Sequence, residues 1–434
     1  MQTVQWESLN MASQLETLGR PQVHRNEELK AGVEKIVSDV RQDGDDAVRR
    51  LTAQFDRADI DGFRVTGEEL AAAEAALPAA AVDAIEVAIA NVREFHRAQL
   101  PHPIVVETMP GVRCERISHP LDAVGLYVPA GSAPLPSTAI MLAVPAALAG
   151  CPRRVMCTPP RTDGTADPGV LVAARRAGVS EIYKIGGAQA VAAMAFGTES
   201  VPKVNRIFGP GNAWVTEAKQ QVAALPGGAA IDMPAGPSEV LVIADDEANA
   251  EFVAADLLSQ AEHGVDSQVI LVTTSDRLAR DVIAQVEAQL PRLARADTAK
   301  QALESSRAIV CESLDTATAI SNRYAPEHLI LHVTEPRRLL DQVRNAGSVF
   351  LGPWSPESVG DYCSGTNHVL PTYGTASTYS GLSIEQFMRH MTVQELSPAG
   401  LDRIGGAVIE LAKLEGLDAH AAAVTRRLAA SGSS

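Results

Sequence analysis

The sequence predicts an α/β protein: two doubly wound parallel-sheet domains with small helical segments at the termini. Three observations predict it. From about residue 123 short β-branched runs alternate with longer Ala-rich helical stretches, the pattern of βαβ units. The alternation pauses near Pro237 and resumes at Glu239, which separates two blocks. At roughly 150 residues per domain, 434 residues also exceed one minimal module.

Taken in order, Met1 to Leu18 is polar and mixed in charge, without the basic start and apolar core of a secretory signal. Asn26 to Leu100 carries apolar residues at helical spacing, such as Leu70, Ala73, Ala76 and Leu77, and should lay helices on one of the sheets. The first block offers strands at Val124–Val128, Val155–Thr158 and Glu181–Ile185, with helices from Thr138, Pro168 and Ala188. Strands of the second block are expected at Val240–Ala244, Val269–Thr273, Ala308–Cys311, His328–Val333 and Ser348–Leu351. Ile384 to Ser434 reads as mainly helical, and a segment that small cannot bury a core alone, so it should pack on another domain or subunit.

Composition removes several classes of function. Hydrophobic residues at 46% and charged residues at 21% match a folded globular chain and exclude intrinsic disorder. A net charge of −16 without a basic cluster argues against nucleic acid and anionic membranes as partners. The longest apolar run, Ala139 to Cys151, contains Pro145 and falls short of the ~20 residues that a membrane span requires, so a cytoplasmic location is expected. Cys114, Cys151, Cys157, Cys311 and Cys363 are odd in number and widely spaced without a CxxC pair, which predicts reduced thiols and no thiolate zinc site.

Because ligands of parallel sheets collect at the C-terminal ends of strands, the residues after each strand come first. Gly186-Gly187 opens a helix, and Gly209-Pro210-Gly211-Asn212 leads into another; both suit a phosphate at a helix start, and both equally suit a plain tight turn. Neither GxGxxG nor a GxxxxGK[ST] loop occurs, so a nucleotide here would be held differently. Gln260 and His263 share a helix face at i and i+3 and can grip one atom, or His263 simply stabilises the helix end before Gly264. Glu327 and His328 stand side by side after Pro326, both proton carriers near neutral pH, or else part of a surface turn. His332, two residues on, reads as a packed histidine. Asp361 and His368 lie in a glycine-punctuated polar loop, and Glu415 and His420 flank the last helix turn; Gln260, His263, Asp361 and His420 together are compatible with an N2O2 zinc or manganese set.

Seven segments in order resemble the histidinol dehydrogenase family. They are Gly186-Gly187-Ala188-Gln189-Ala190, Gly209-Pro210-Gly211-Asn212, Ala235-Gly236-Pro237-Ser238-Glu239, Gln260-Ala261-Glu262-His263-Gly264, Asn322 through Leu329, Thr366-Asn367-His368-Val369-Leu370-Pro371-Thr372 and Glu415-Gly416-Leu417-Asp418-Ala419-His420. The resemblance implies incomplete Rossmann-like sheets and a cytoplasmic homodimer with shared sites. It also implies oxidation of L-histidinol through L-histidinal to L-histidine, the last two steps of histidine biosynthesis, with one Zn2+ per subunit and two NAD+ in succession. By motif match Gln260, His263, Asp361 and His420 hold the zinc, and Glu327 and His328 are the acid/base pair. Ser238, His368 and Glu415 match substrate positions, alongside Gln260, His263, His328, Asp361 and His420; Tyr127, Gln189 and Asn212 match cofactor positions. In this reading 1–24 is an N-terminal helical arm, 25–122 with 239–382 carries most catalytic and zinc residues, 123–238 contacts NAD, and 383–434 completes the partner's site. A related dehydrogenase of another small polar alcohol, a zinc hydrolase using Glu327, and a non-catalytic scaffold are the competing readings; His368 and Glu415 speak against the first, and NADH formation separates the second.

Overall fold

Every strand expected from the β-branched runs forms, within one or two residues of the expected limits. In the first block these are Ala123–Tyr127, Arg153–Thr158 and Glu181–Lys184; in the second, Glu239–Ala244, Gln268–Thr273, Arg307–Val310, His328–His332 and Ser348–Leu351. The computed structural model describes residues 1–21, 27–130, 133–233 and 236–432. Arg25 and Asn26, the expected starts of a domain and its helices, Ala235 of a motif, and Ser434 lie outside them. Two units divide the chain: Met1–Gln99 with Asp122–Phe387, and Leu100–Leu121 with Met388–Ser434.

The first unit contains two all-parallel sheets. One runs Glu181–Lys184, Arg153–Thr158, Ala123–Tyr127, Arg206–Phe208, Ala230–Ile231 across its width, so the first strand in sequence is central and the chain winds outward in both directions. The other runs Gln2–Gln5, Arg307–Val310, Gln268–Thr273, Glu239–Ala244, His328–His332, Ser348–Leu351; apart from the N-terminal edge strand Gln2–Gln5 it repeats that order around Glu239–Ala244, the first strand of the second block. Glu239–Ala244 and Gln268–Thr273 are buried along their whole length, as parallel strands with both faces covered must be.

Three expectations about organisation change. The N-terminal arm begins as a strand, Gln2–Gln5, pairing Gln2 with Arg307 through Gln5 with Val310, before the helix Met11–Thr17; four residues carry too little pattern to signal an edge strand that tertiary pairing creates. Helix Glu27–Phe55 joins the five-stranded sheet rather than the six-stranded one: Val33, Val37, Val40 and Leu51 share a core with Tyr127, Val155, Val191 and Val215. Helical spacing shows that a face is apolar without saying which sheet it covers. The C-terminal segment contains a nine-residue strand, Met388–Leu396, antiparallel to Val112–Pro120, which in turn pairs with Ile104–Met109.

That three-stranded sheet and the helices Pro398–Leu414 and Asp418–Ala430 make up the second unit. All six residues of Ile104–Met109 are exposed. Among the described residues no single helix is long and apolar enough to cross a membrane. None of the five cysteines forms a disulfide, and burial pushes the Cys311 thiol up to about 11, leaving it protonated and unreactive.

Candidate active site

The two sheets present opposite ends to one cleft. The five-stranded sheet behaves as expected: Tyr127, Gly187, Gln189, Pro210 and Asn212 follow the C-terminal ends of its strands and line a cavity of about 980 Å³. From the six-stranded sheet, however, Ser238 and His263 line the same cavity, and Ser238 precedes its strand. Glu327 and His328 also stand at the start of theirs, paired in register beside Val240. Strand C-termini, the first place to look, therefore do not account for this sheet; Glu327 and His328 stand at the mouth of the strand beginning at His328, as expected, and the sheet offers its N-terminal edge and the C-terminal end of helix Ala250–Ala261.

Local structure fixes the wall that the five-stranded sheet gives the cavity. Tyr127 is buried and its hydroxyl accepts the Gly187 N–H at 3.0 Å, occupying an amide at the start of helix Gly187–Phe196. The Asn212 side chain caps helix Ala213–Ala224 by accepting the amides of Trp214 and Val215. Gly209, at φ +121, has no room for a Cβ, which would press on the Tyr127 carbonyl. A buried ion pair clamps this turn: Asp232 accepts the Gly209 N–H at 2.8 Å while its partner Lys219 donates to the Gly209 carbonyl at 2.8 Å.

The Glu327–His328 pair hangs on Glu239, whose role the sequence did not disclose. Its carboxylate accepts two bonds from Arg20, at 2.6 and 2.9 Å, one from the Tyr324 hydroxyl at 3.1 Å and one from the Glu327 N–H at 3.3 Å. Its own N–H donates to Glu327 Oε2 at 3.0 Å. The Glu239 carbonyl accepts from His328 Nδ1 at 3.2 Å, and because a carbonyl only accepts, that nitrogen carries the proton and Nε2 keeps its lone pair. Burial lowers the His328 pKa to about 4, so the ring is neutral at physiological pH. Burial raises Glu327 well above the usual carboxylate range, even though the Glu239 amide opposes this.

Nε2 of His328 lies 3.8 Å from Asp361 Oδ1, and Asp361 Oδ2 lies 4.0 Å from His263 Nε2. Ligand atoms of His263, Asp361 and Glu357 all fall within 4.8 Å of one another, a cluster with room for a cation. Desolvation holds His263 below the ordinary imidazole value despite Asp361, which favours the neutral form that a metal ligand requires. Gln260 sits in the last turn of helix Ala250–Ala261, fully buried, with both side-chain amide atoms unpartnered among the described residues. A buried amide without partners is expensive, and the negative end of a helix dipole favours a positive ion, so these residues fit the metal expected of them.

Glu357 was not among the expected ligands. It is buried, accepts from Ser259 Oγ at 3.3 Å and precedes Asp361 by one helical turn in Glu357–Tyr362; the i, i+4 spacing of two carboxylates was its only signal. Burial and the Asp361 charge hold it well above the carboxylate range. His368 is partly exposed, but its Nε2 is buried and unpartnered among the described residues, and His332 is buried against Phe252, ring centroids 6.5 Å apart. Glu415 and His420 belong to the second unit, exposed at the junction of its two helices.

A family profile described as histidinol dehydrogenase matches residues 20–428. Histidinol dehydrogenase from Xanthomonas axonopodis pv. citri (strain 306) is 58% identical over 99% of this chain and 99% of its own. That from Vibrio vulnificus (strain YJ016) is 55% identical over 99% and 98%. Among solved structures, histidinol dehydrogenase from Elizabethkingia anophelis superposes with a TM-score of 0.96 at 46% identity, covering 99% of this chain and 98% of that one.

Proposed function

The chain belongs to the histidinol dehydrogenase family, and on that premise we propose that it oxidises L-histidinol through L-histidinal to L-histidine with zinc and NAD, as a cytoplasmic homodimer. The observation that carries the residue-level reading is the junction of two groups in one place: a neutral His328 with a free Nε2, 3.8 Å from Asp361, and the His263, Glu357, Asp361 cluster, with the buried, unpartnered Gln260 amide one helical turn before His263.

In this reading Gln260, His263 and Asp361, with His420 of a second subunit, hold one zinc ion, and Tyr127, Gln189 and Asn212 line the NAD cleft. When bound, the metal orients the substrate's nitrogens and NAD accepts hydride. His328 takes the hydroxyl proton of the alcohol at Nε2, its tautomer held by the Glu239 carbonyl. Glu327 takes a proton from the water that adds to the aldehyde. Its raised proton affinity matches it to that task near neutral pH, since a carboxylate at its usual value is a weak base. Ser238, His368 and Glu415 recognise the polar ends of the substrate.

The dimer reading rests on the second unit. Val105 and Val106 on one strand and Met391 on another are about half exposed, and Leu414 is 84% exposed beside Glu415. A thin sheet that leaves such residues uncovered is suited to a second copy. The test is an NADH-linked assay with L-histidinol and a panel of other amino alcohols. Preferential turnover of L-histidinol with two NADH per molecule is expected; one NADH, or an equal response to simple amino alcohols, would overturn the assignment.

A further inference from the structure

Asp56 is a charged residue that the proposed chemistry does not use, placed where folding gains nothing from it. It follows the last turn of helix Glu27–Phe55, its N–H bonded to the Thr52 carbonyl, and a carboxylate at a helix C-terminus meets the negative end of the dipole. The side chain lines the cleft, and Gln189 Nε2 donates to it at 3.4 Å. None of the ion pairs among the described residues includes it, and burial without compensation pushes it up to about 6.

Its position in the fold is informative. A Cβ on Gly186, in the turn after the third strand of the five-stranded sheet, would lie 2.8 Å from Pro159 and 3.1 Å from Asp56 Oδ1. Asp56 therefore stands over the C-terminal end of the second strand, Arg153–Thr158, which Pro159 follows. In doubly wound sheets that read a dinucleotide, an acid near this end accepts the 2′-hydroxyl of the adenine ribose. Here the strand itself ends Thr158-Pro159-Pro160, with no acid to offer. Among the described residues, the charged side chains lining the cleft besides Asp56 are Glu262, Asp266 and the Arg295 guanidinium, so a further phosphate of roughly −1.5 to −2 charge meets a net negative wall there.

We infer that Asp56 is a specificity-determining residue, supplied by the N-terminal helix in place of the missing strand-end acid, which accepts the ribose 2′-hydroxyl of NAD and excludes a nucleotide carrying a 2′-phosphate. The inference rests on the NAD reading above. A hydrogen bond from a hydroxyl to a carboxylate corresponds to about 10- to 100-fold in affinity.

The test is equilibrium binding, by calorimetry on the metal-loaded full-length enzyme without substrate, of NAD+, NADP+, 5′-AMP and 2′,5′-ADP to wild type, Asp56→Asn and Asp56→Ser. Wild type should prefer NAD+ over NADP+ and 5′-AMP over 2′,5′-ADP by about 100-fold or more. Both variants should lose roughly 10-fold on the hydroxyl ligands and gain on the phosphorylated ones, with Asp56→Ser, which opens space for the phosphate, shifting further. Circular dichroism confirms that the variants are folded. Should wild type bind NAD+ while folded variants keep its preference, Asp56 is not the selector. Wild type that neither binds nor reduces NAD+ overturns the cofactor reading itself, and the inference with it.

Discussion

Glu239→Gln tests the buried frame behind the dyad. The substitution keeps size and one acceptor oxygen but removes the charge opposite Arg20, in a pair whose side chains are only 2% and 15% exposed. Removing one partner of a buried pair generally costs about 3–5 kcal/mol, because the other charge stays behind uncompensated. Arg20 keeps its bond to the Tyr324 carbonyl at 2.6 Å and its stacking 3.9 Å over the Tyr324 ring, so the low end, about 3 kcal/mol, is expected. At about 2.1 cal/mol/K of unfolding entropy per residue, that corresponds to about 4 °C in Tm for a unit of this size. Scanning calorimetry of wild type, Arg20→Met, Glu239→Gln and the double variant measures it. The double variant should be less destabilised than the sum of the singles by about 2 kcal/mol, since it leaves no orphaned charge. Turnover should fall in both half-reactions, because Glu239 also fixes the Glu327 main chain. Additive single effects, or a Glu239→Gln protein as stable as wild type, would refute the frame.

Glu327→Gln should impair aldehyde oxidation by about 10²- to 10⁴-fold and alcohol oxidation far less; feeding each substrate separately decides, and equal losses contradict the assignment. Gln260→Ala should release zinc at a chelator concentration that wild type withstands, read as bound metal per subunit by atomic absorption; undiminished retention removes Gln260 from the ligand set. For Asp56→Asn the prediction concerns pH. The native carboxyl at about 6 binds its proton more tightly than the unfolded one near 3.8, so its contribution is most favourable below 4 and is lost as pH rises through 6. The shift of about two pH units is worth about 3 kcal/mol if fully buried and about 1 kcal/mol for this half-buried group. The variant should therefore gain about that much on wild type between pH 4 and 7 in urea unfolding, and a constant difference rejects the argument. Finally, inactive Glu327→Gln and His420→Asn dimers, unfolded and reassembled together, should recover about a quarter of wild-type activity if each site spans two subunits. Confirmed subunit exchange without recovery assigns His420 to its own chain.

The strands were legible because Val, Ile and Leu runs such as Val240–Ala244 are bounded by glycine, proline or acid, and a fully buried parallel strand has little other way to be written. Gln260, His263, Glu327, His328 and Asp361 were legible through their motifs, and the structure sets the last four beside one another. Gln2–Gln5 and Met388–Leu396 were not, because each is made a strand by a partner distant in sequence, Arg307–Val310 and Val112–Pro120. Arg20, Asp56 and Glu357 escaped for a related reason. An isolated arginine or acid in a helical region looks like solvated surface, and only packing reveals that it is buried against a functional group.

The two sheets use opposite strand ends at the cleft. The rule that ligands gather at the C-terminal edge describes the five-stranded sheet, where the helices starting at Gly187 and after Asn212 turn the positive ends of their dipoles toward the cleft. A metal ion wants the opposite field. On the six-stranded sheet the helix Ala250–Ala261 directs its C-terminal end, with Gln260 and then His263, toward the same region as the strand starts at Glu239 and His328. One cleft thus receives helix N-termini from one sheet and a helix C-terminus from the other, which suits a reaction that must hold an anionic dinucleotide and a cation side by side. A single parallel sheet carries those two fields on opposite edges, and here the two sheets bring edges of opposite polarity to the same cleft.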